Sequence, residues 1–150
     1  MTSECENWVT MSSSSEVIAA VVPVLPVRDL TRAIEFYEHL GFNAKRYRDG
    51  DFYAFIQRDG RELHLSKTPE LFPEHNFVRV YFYLSPGTVA ALEAQCRANG
   101  MTIVEPLTPR EWKMKEFVLR DPDGNRLIFG ESLTEDQPLY RPSSVNQLNA

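Results

Sequence analysis

Cysteine is scarce in this 150-residue chain: Cys5 and Cys96 are the only two, and they stand far apart. Cys5 also falls in a polar leader, so a disulfide framework is excluded as the basis of the fold. Cysteine used this sparingly suits a reducing compartment, and the expected location is the cytoplasm. No uncharged apolar run exceeds the eleven residues from Val17 to Val27, which contains Pro23 and Pro26. A bilayer span takes about 20 such residues, so no membrane partner is expected. Glu4, Glu6 and Glu16 precede that run, where a signal peptide would need basic residues. Positive charge is short as well. Sixteen Lys and Arg face twenty-one Asp and Glu, a formal net charge of −5, which argues against tracking a nucleic-acid backbone and favours neutral or cationic partners. The sequence also has no glycine-rich phosphate loop, no nucleophile elbow and no cysteine in a reactive motif.

What is present describes a globular protein. Hydrophobic residues make up 43% and charged residues 25%, close to the average for folded domains. A chain this long forms one domain and buries roughly 70% of its unfolded surface without help from metal or disulfide. Residues 1–16, with serines at 12 to 15, read as a leader with little to pack, in which Met11 is an alternative start to Met1. Residues 132–150 are rich in Pro, Ser, Asn and Gln and read as a tail. The folded domain is expected from Val17 to Glu131.

Within it, Asp29 is a good N-cap for a helix carrying Leu30, Ala33, Ile34, Tyr37 and Leu40 at helical spacing, closed by Gly41. A second helix is expected after Ser85 and Pro86, with Val89, Leu92 and Cys96 on one face and Gly100 at its end. Strands are expected at 21–27, 43–48, 52–57 and 62–66, then at 78–84, 101–105, 116–120 and 127–131. Turn signals separate several of them at Asp49-Gly50, Asp59-Gly60 and Asp121 to Gly124. The order is βαβββ, twice. The helix-ending glycines lie 59 residues apart and the opening strands are offset by 57, so the repeat is one of elements rather than of letters. The fold class is α+β, with two βαβββ modules forming mostly antiparallel, curved sheets.

The segment from Val22 to Phe42 (VPVLPVRDLTRAIEFYEHLGF) resembles the opening signature of the vicinal-oxygen-chelate, or glyoxalase-like, superfamily. The segment from Glu116 to Phe129 (EFVLRDPDGNRLIF) resembles its closing motif. Within that superfamily the chain is most similar to bleomycin resistance proteins, on the proline-containing first strand, the Arg28-Asp29 helix start and Trp112 just before the closing motif. The resemblance covers about residues 19 to 131. It implies a cup-like mixed sheet in a homodimer, with an N-terminal strand that commonly swaps between subunits. Pro23 and Pro26 suit such an edge or hinge.

The superfamily's enzymes hold a divalent metal through one residue on each of four strands. By the resemblance those positions fall on Val22, His64, Arg79 and Ile128. Two are aliphatic, one is a cation and one is an imidazole, whereas a catalytic site usually takes three protein ligands. No metal, cofactor or catalytic residue is therefore expected, and His64 reads as a hydrogen-bonding residue of the cup before a ligand. His39 and His75 read as solvated. Alternation along the strands would bring Glu62, His64 and Ser66 into the cup together with Phe77, Arg79, Tyr81 and Tyr83. Tyr47, Phe52, Tyr53, Phe55 and Trp112 lie in segments resembling the rim and groove of the resistance proteins, where Trp112 and Phe52 or Tyr53 would sandwich a flat drug. Asp49, Asp51, Glu111 or Glu116 would meet a cationic drug tail, against the opposing charge of Arg46, Arg48, Lys113 and Lys115. The expected function is non-catalytic binding of a small molecule, a bleomycin-like antibiotic. The alternative is a metal-dependent lyase, ring-cleaving dioxygenase or antibiotic-modifying transferase.

Overall fold

The structure, a computed structural model, describes residues 15–134. The leader before residue 15, with Cys5 and Met11, and the tail beyond residue 134 lie outside the described residues.

The order of elements is β1 (Val24–Val27), α1 (Leu30–His39), β2 (Asn43–Arg46), β3 (Tyr53–Arg58) and β4 (Arg61–Lys67). It continues with β5 (Arg79–Tyr83), α2 (Val89–Ala98), β6 (Thr102–Pro109), β7 (Met114–Arg120) and β8 (Arg126–Ser132). Two four-stranded mixed sheets result, ordered β1-β4-β3-β2 and β5-β8-β7-β6. In each, the opening strand lies parallel to the last strand of its own module, and the other pairings are antiparallel. The two sheets have the same order, so the repeat read from the element pattern is a repeat of topology.

The start of α1 follows from its cap. The Asp29 carboxylate accepts the Arg32 N–H at 3.0 Å, an arrangement worth about 1 kcal/mol against alanine. Leu30, Ala33, Ile34 and Tyr37 are buried along one stripe, and Gly41, at φ +86°, turns the chain out of the helix. The second helix begins three residues later than the Ser85-Pro86 signal suggests. Gly87 takes φ +80°, and Thr88 becomes the N-cap. Its own hydroxyl turns back to the Ser85 carbonyl, at 2.6 Å. The Glu131 carboxylate from β8 caps the helix instead, accepting the N–H groups of Thr88 at 2.9 Å and Val89 at 3.0 Å. A cap supplied by a distant strand leaves no local signature.

One apolar core joins the two modules. Leu25, Val27, Ala54, Ile56, Leu63 and Leu65 from the first sheet share it with Phe117, Leu119, Leu127 and Phe129 from the second. Helices α1 and α2 contribute Leu30, Tyr37, Val89 and Cys96. Phe42 and Phe82 meet edge to face across the module boundary, at 6.4 Å between ring centroids. Burial pushes the Cys96 thiol up to about 11, which makes it packing rather than a nucleophile. The opposite face of each sheet is left to carry function.

A polar lock reinforces the joint. The β7–β8 turn, Asp121 to Asn125, reaches back into the first module. Tyr37 donates its hydroxyl to Asp121 Oδ2 at 2.7 Å, and Arg28 pairs with Asp123 at 3.0 Å. Asn125 donates to the Pro26 carbonyl at 3.0 Å and accepts from Asn76 at 2.8 Å. Asp121, Asp123 and Asn125 are all buried. Burial holds the Tyr37 hydroxyl well above its usual value, and the Asp121 charge beside it adds to that.

Candidate functional site

Strand alternation divides the expected site residues between the two sheets. On the first, the ladder places His64 beside Phe55 and Val24, and Ser66 beside Tyr53 and Pro26. Residues opposite one another in a ladder share a face. Glu62, His64, Ser66, Tyr53 and Phe55 therefore all lie on the face away from the core, with Leu63, Leu65, Ala54 and Ile56 on the other.

His64 is the centre of that face. Its Nε2 is 2.7 Å from Glu62 Oε1 and its Nδ1 is 2.8 Å from the Tyr53 hydroxyl. A carboxylate only accepts, so Nε2 carries a proton toward Glu62. The Phe55 ring meets the imidazole at 90°, with centroids 4.8 Å apart, and Tyr53 packs on both. The aromatic surface continues through Tyr47, which contacts Phe55 and Phe52 edge-on. Phe52 stays about half exposed at 52%. Its ring lies over Gly50, where an added Cβ would come within 3.3 Å of it. Arg46 braces the loop by donating to the Gly50 carbonyl and to the Thr31 hydroxyl. A shallow depression of about 300 Å³ opens beside Phe55, between Lys45, Gln57 and Glu62.

On the second sheet, Arg79, Tyr81 and Tyr83 share the outer face of β5. The Tyr81 and Tyr83 rings lie 4.7 Å apart, and Tyr81 folds over Gly130, where any side chain would strike its hydroxyl. That hydroxyl donates to Glu116 Oε2, which also accepts Trp112 Nε1 at 3.1 Å. Arg110 lies 3.6 Å from the other oxygen of Glu116, and its guanidinium sits over the Trp112 ring at 5.7 Å. Burial, followed by the Glu116 contact, raises the Tyr81 hydroxyl far above its usual value, so it stays a proton donor. Trp112 stands on the β6–β7 turn, which closes through the Arg110 N–H bonded to the Met114 carbonyl, with Lys113 at φ +64°. Half of the indole is exposed, at 50%.

Two aromatic surfaces thus exist in one chain, one on each sheet. The strongest packing between elements stays within each module, with His64 on the first sheet and Arg79, Tyr81 and Tyr83 on the second. Glu116 is buried and engaged by Tyr81, Trp112 and Arg110. It orients Trp112 rather than standing free for a cationic group. Asp51 is held by Lys67 at 2.9 Å, which keeps its carboxyl below the usual range. Reading the sequence missed this use of Glu116. Its spacing of four residues from Trp112 across a tight turn was the available signal.

The metal positions do not fit a divalent ion. His64 has both ring nitrogens engaged, by Tyr53 and Glu62. Its strand neighbour on β1 is Val24 rather than Val22, and neither valine has a donor atom. In the second module the corresponding ladder pair is Tyr81 and Ile128. Ile128 has nothing to offer, Tyr81 is tied to Glu116, and Arg79 is a cation. Among the described residues no group of three His, Cys, Asp or Glu side chains is gathered anywhere. No helix among them is long and apolar enough to cross a membrane.

Comparison with known proteins places this geometry. No curated protein matches the sequence. Among solved structures, a bleomycin-binding protein complexed with bleomycin is 27% identical, with a TM-score of 0.66 over 77% of this chain and 99% of that one. The bleomycin resistance determinant encoded on the transposon Tn5 is 26% identical, with a TM-score of 0.68 over 78% of this chain and all of its own. TioX from Micromonospora sp. ML1 shares the fold at 22% identity and a TM-score of 0.63, over 76% of this chain and 100% of that one. The family model for the Glyoxalase/Bleomycin resistance protein/Dioxygenase superfamily matches residues 18–129. The duplicated βαβββ topology and this match agree, and the chain belongs to that superfamily.

Proposed function

We propose that this protein is a non-catalytic binder of a flat aromatic small molecule of the bleomycin class, acting in the cytoplasm as a homodimer. The observation that carries this reading is Trp112, a half-exposed indole hydrogen-bonded to a buried carboxylate. An aromatic side chain left open to water and oriented by a hydrogen bond is pre-organised to stack on a ligand. Each such stack is worth roughly 0.5–1.5 kcal/mol beyond the area buried.

Dimerisation follows from the division of the site. Tyr47, Phe52, Tyr53, His64 and Ser66 belong to the first module, and Arg79, Tyr81, Tyr83, Glu116 and Trp112 to the second. A second copy that brings its first sheet against the second sheet of its partner would join them into one groove. The solved bleomycin-binding protein, similar over nearly all of its length, supports this assignment of ligand class. The donor chemistry at Val22, His64, Arg79 and Ile128 supports binding over metal-dependent turnover.

The test is calorimetric titration with bleomycin, with and without copper, alongside elemental analysis. One or two drugs per dimer are expected, with quenching of indole fluorescence, and a loss of at least tenfold in affinity for Trp112→Ala. An absence of heat and quenching at micromolar drug would overturn the bleomycin assignment. A stoichiometric metal with turnover would overturn the non-catalytic one.

A further inference from the structure

The second sheet carries a row of three arginines. Arg79 on β5 is the ladder partner of Arg126 on β8, and Arg126 is the ladder partner of Arg120 on β7. Thr102 on β6 ends the row. Partners in a ladder point to the same face, and neighbouring strands lie about 4.8 Å apart, so the three side chains rise side by side over roughly 10 Å. Like charges directly opposite one another destabilise a sheet. Several arginines elsewhere in the fold are paired with carboxylates, Arg28 with Asp123, Arg97 with Glu93 and Arg110 with Glu105. For Arg79, Arg120 and Arg126 no side-chain hydrogen bond or ion pair exists among the described residues. Three adjacent unpaired cations in a protein of net charge −5 are a cost that the fold itself does not explain.

We propose that the row is an anion site for the multivalent oxyanion of a small molecule, a phosphate chain being the chemistry that fits best. Guanidinium groups present planar forks of N–H donors that match phosphate oxygens two at a time. Three forks in line suit a chain of linked phosphates better than one isolated charge. Tyr81 and Tyr83 follow Arg79 on the same face, about 7 Å apart per step of two residues, so an anionic ligand with a ring would find a stacking surface next to its charge. The proposal does not rest on the drug reading, and failure of bleomycin to bind leaves it standing.

Thermal melting of the full chain with inorganic tripolyphosphate, against sodium chloride at matched ionic strength, is the test. The wild-type protein is expected to melt several degrees higher in tripolyphosphate than in chloride. Arg126→Gln should raise the melting temperature of the anion-free protein, because it removes the central charge of a repelling row, and should reduce the tripolyphosphate shift to the chloride level. Arg79→Gln, on the edge strand, should lower the shift in part and keeps the test decisive where the central variant folds poorly. No shift beyond chloride, or a shift that survives both substitutions, overturns the proposal. So does a change of oligomeric state in Arg126→Gln without any oxyanion effect, since the row's partner would then be a second copy of the chain.

Discussion

Two hairpin turns occupy the same station of the two modules and have opposite fates. The β3–β4 turn is Asp59-Gly60, with φ of +50° and +71°, the left-handed pair that a tight two-residue hairpin demands. It is exposed, and an added Cβ at Gly60 would meet nothing within 4 Å. The β7–β8 turn spans five residues, four of them buried, and its Gly124 lies against the Pro73 carbonyl, where a Cβ would come within 2.2 Å. One turn merely reverses the chain. The other reverses it and clamps β8 onto Arg28, Pro26 and Tyr37 of the first module. Duplication of a topology therefore does not duplicate the duties of its parts, and here the second module supplies the joint.

The sharpest way to break that comparison is to give both glycines the same methyl group. Gly124→Ala combines a backbone collision with a positive φ and should cost on the order of 3–4 kcal/mol in urea unfolding, a large share of a typical domain's stability. Gly60→Ala should cost about 1 kcal/mol, for the backbone conformation alone. Equal losses would show that burial of the second turn contributes nothing. Tyr37→Phe, which strips the buried Asp121 of one donor, should cost about 1–3 kcal/mol by the same measurement.

The smallest effects separate the two carboxylates that tie β8 to its surroundings. Burial holds Asp121 above its ordinary value, against hydrogen bonds from Asn125, Tyr37 and the Asp123 N–H. Its contribution is then fullest below about 3.8 and fades as pH rises through the folded value. The stability gap between wild type and Asp121→Asn should widen from neutral pH toward pH 4. Burial pushes Glu131 upward too, but the N–H groups of Val89, Thr88 and Gly87 outweigh it and hold the group below its ordinary value. Its contribution is present above about 4.5 and is lost in more acidic solution, so the gap for Glu131→Gln should narrow. Gaps that move in the same direction would contradict this account of the two environments.

Much of the architecture is legible in the sequence. Asp29, Gly41 and the spacing of Leu30, Ala33, Ile34 and Tyr37 act within a single helix, and each does what its local chemistry dictates. The strands appeared in the right order because alternation is also local, although β6 extends to Pro109 and β7 starts at Met114, beyond the expected bounds. The start of α2 departs from its local signal because its capping group, Glu131, comes from the opposite end of the module. Asp121 to Gly124 read as a turn signal, and nothing in those letters distinguished a buried lock from an exposed reversal like Asp59-Gly60. Trp112 is half exposed, as a tryptophan in a charged stretch with nothing nearby to bury it should be. The sequence offers Glu116 as a charged group of the groove, and only the fold brings Tyr81 from β5 onto its carboxylate.

By itself, then, the sequence determined the periodicities, the caps and turns of short range, and with them the βαβββ repeat and its fold class. Tertiary structure alone decided which polar groups are buried, which arginines stand in line across three strands, and how the aromatic residues are divided between the two sheets. The physical reason is range. Helix caps, hairpin turns and side-chain alternation act between residues a few positions apart, whereas burial and cross-strand register join residues such as Arg28 and Asp123, whose proximity the folded chain alone creates.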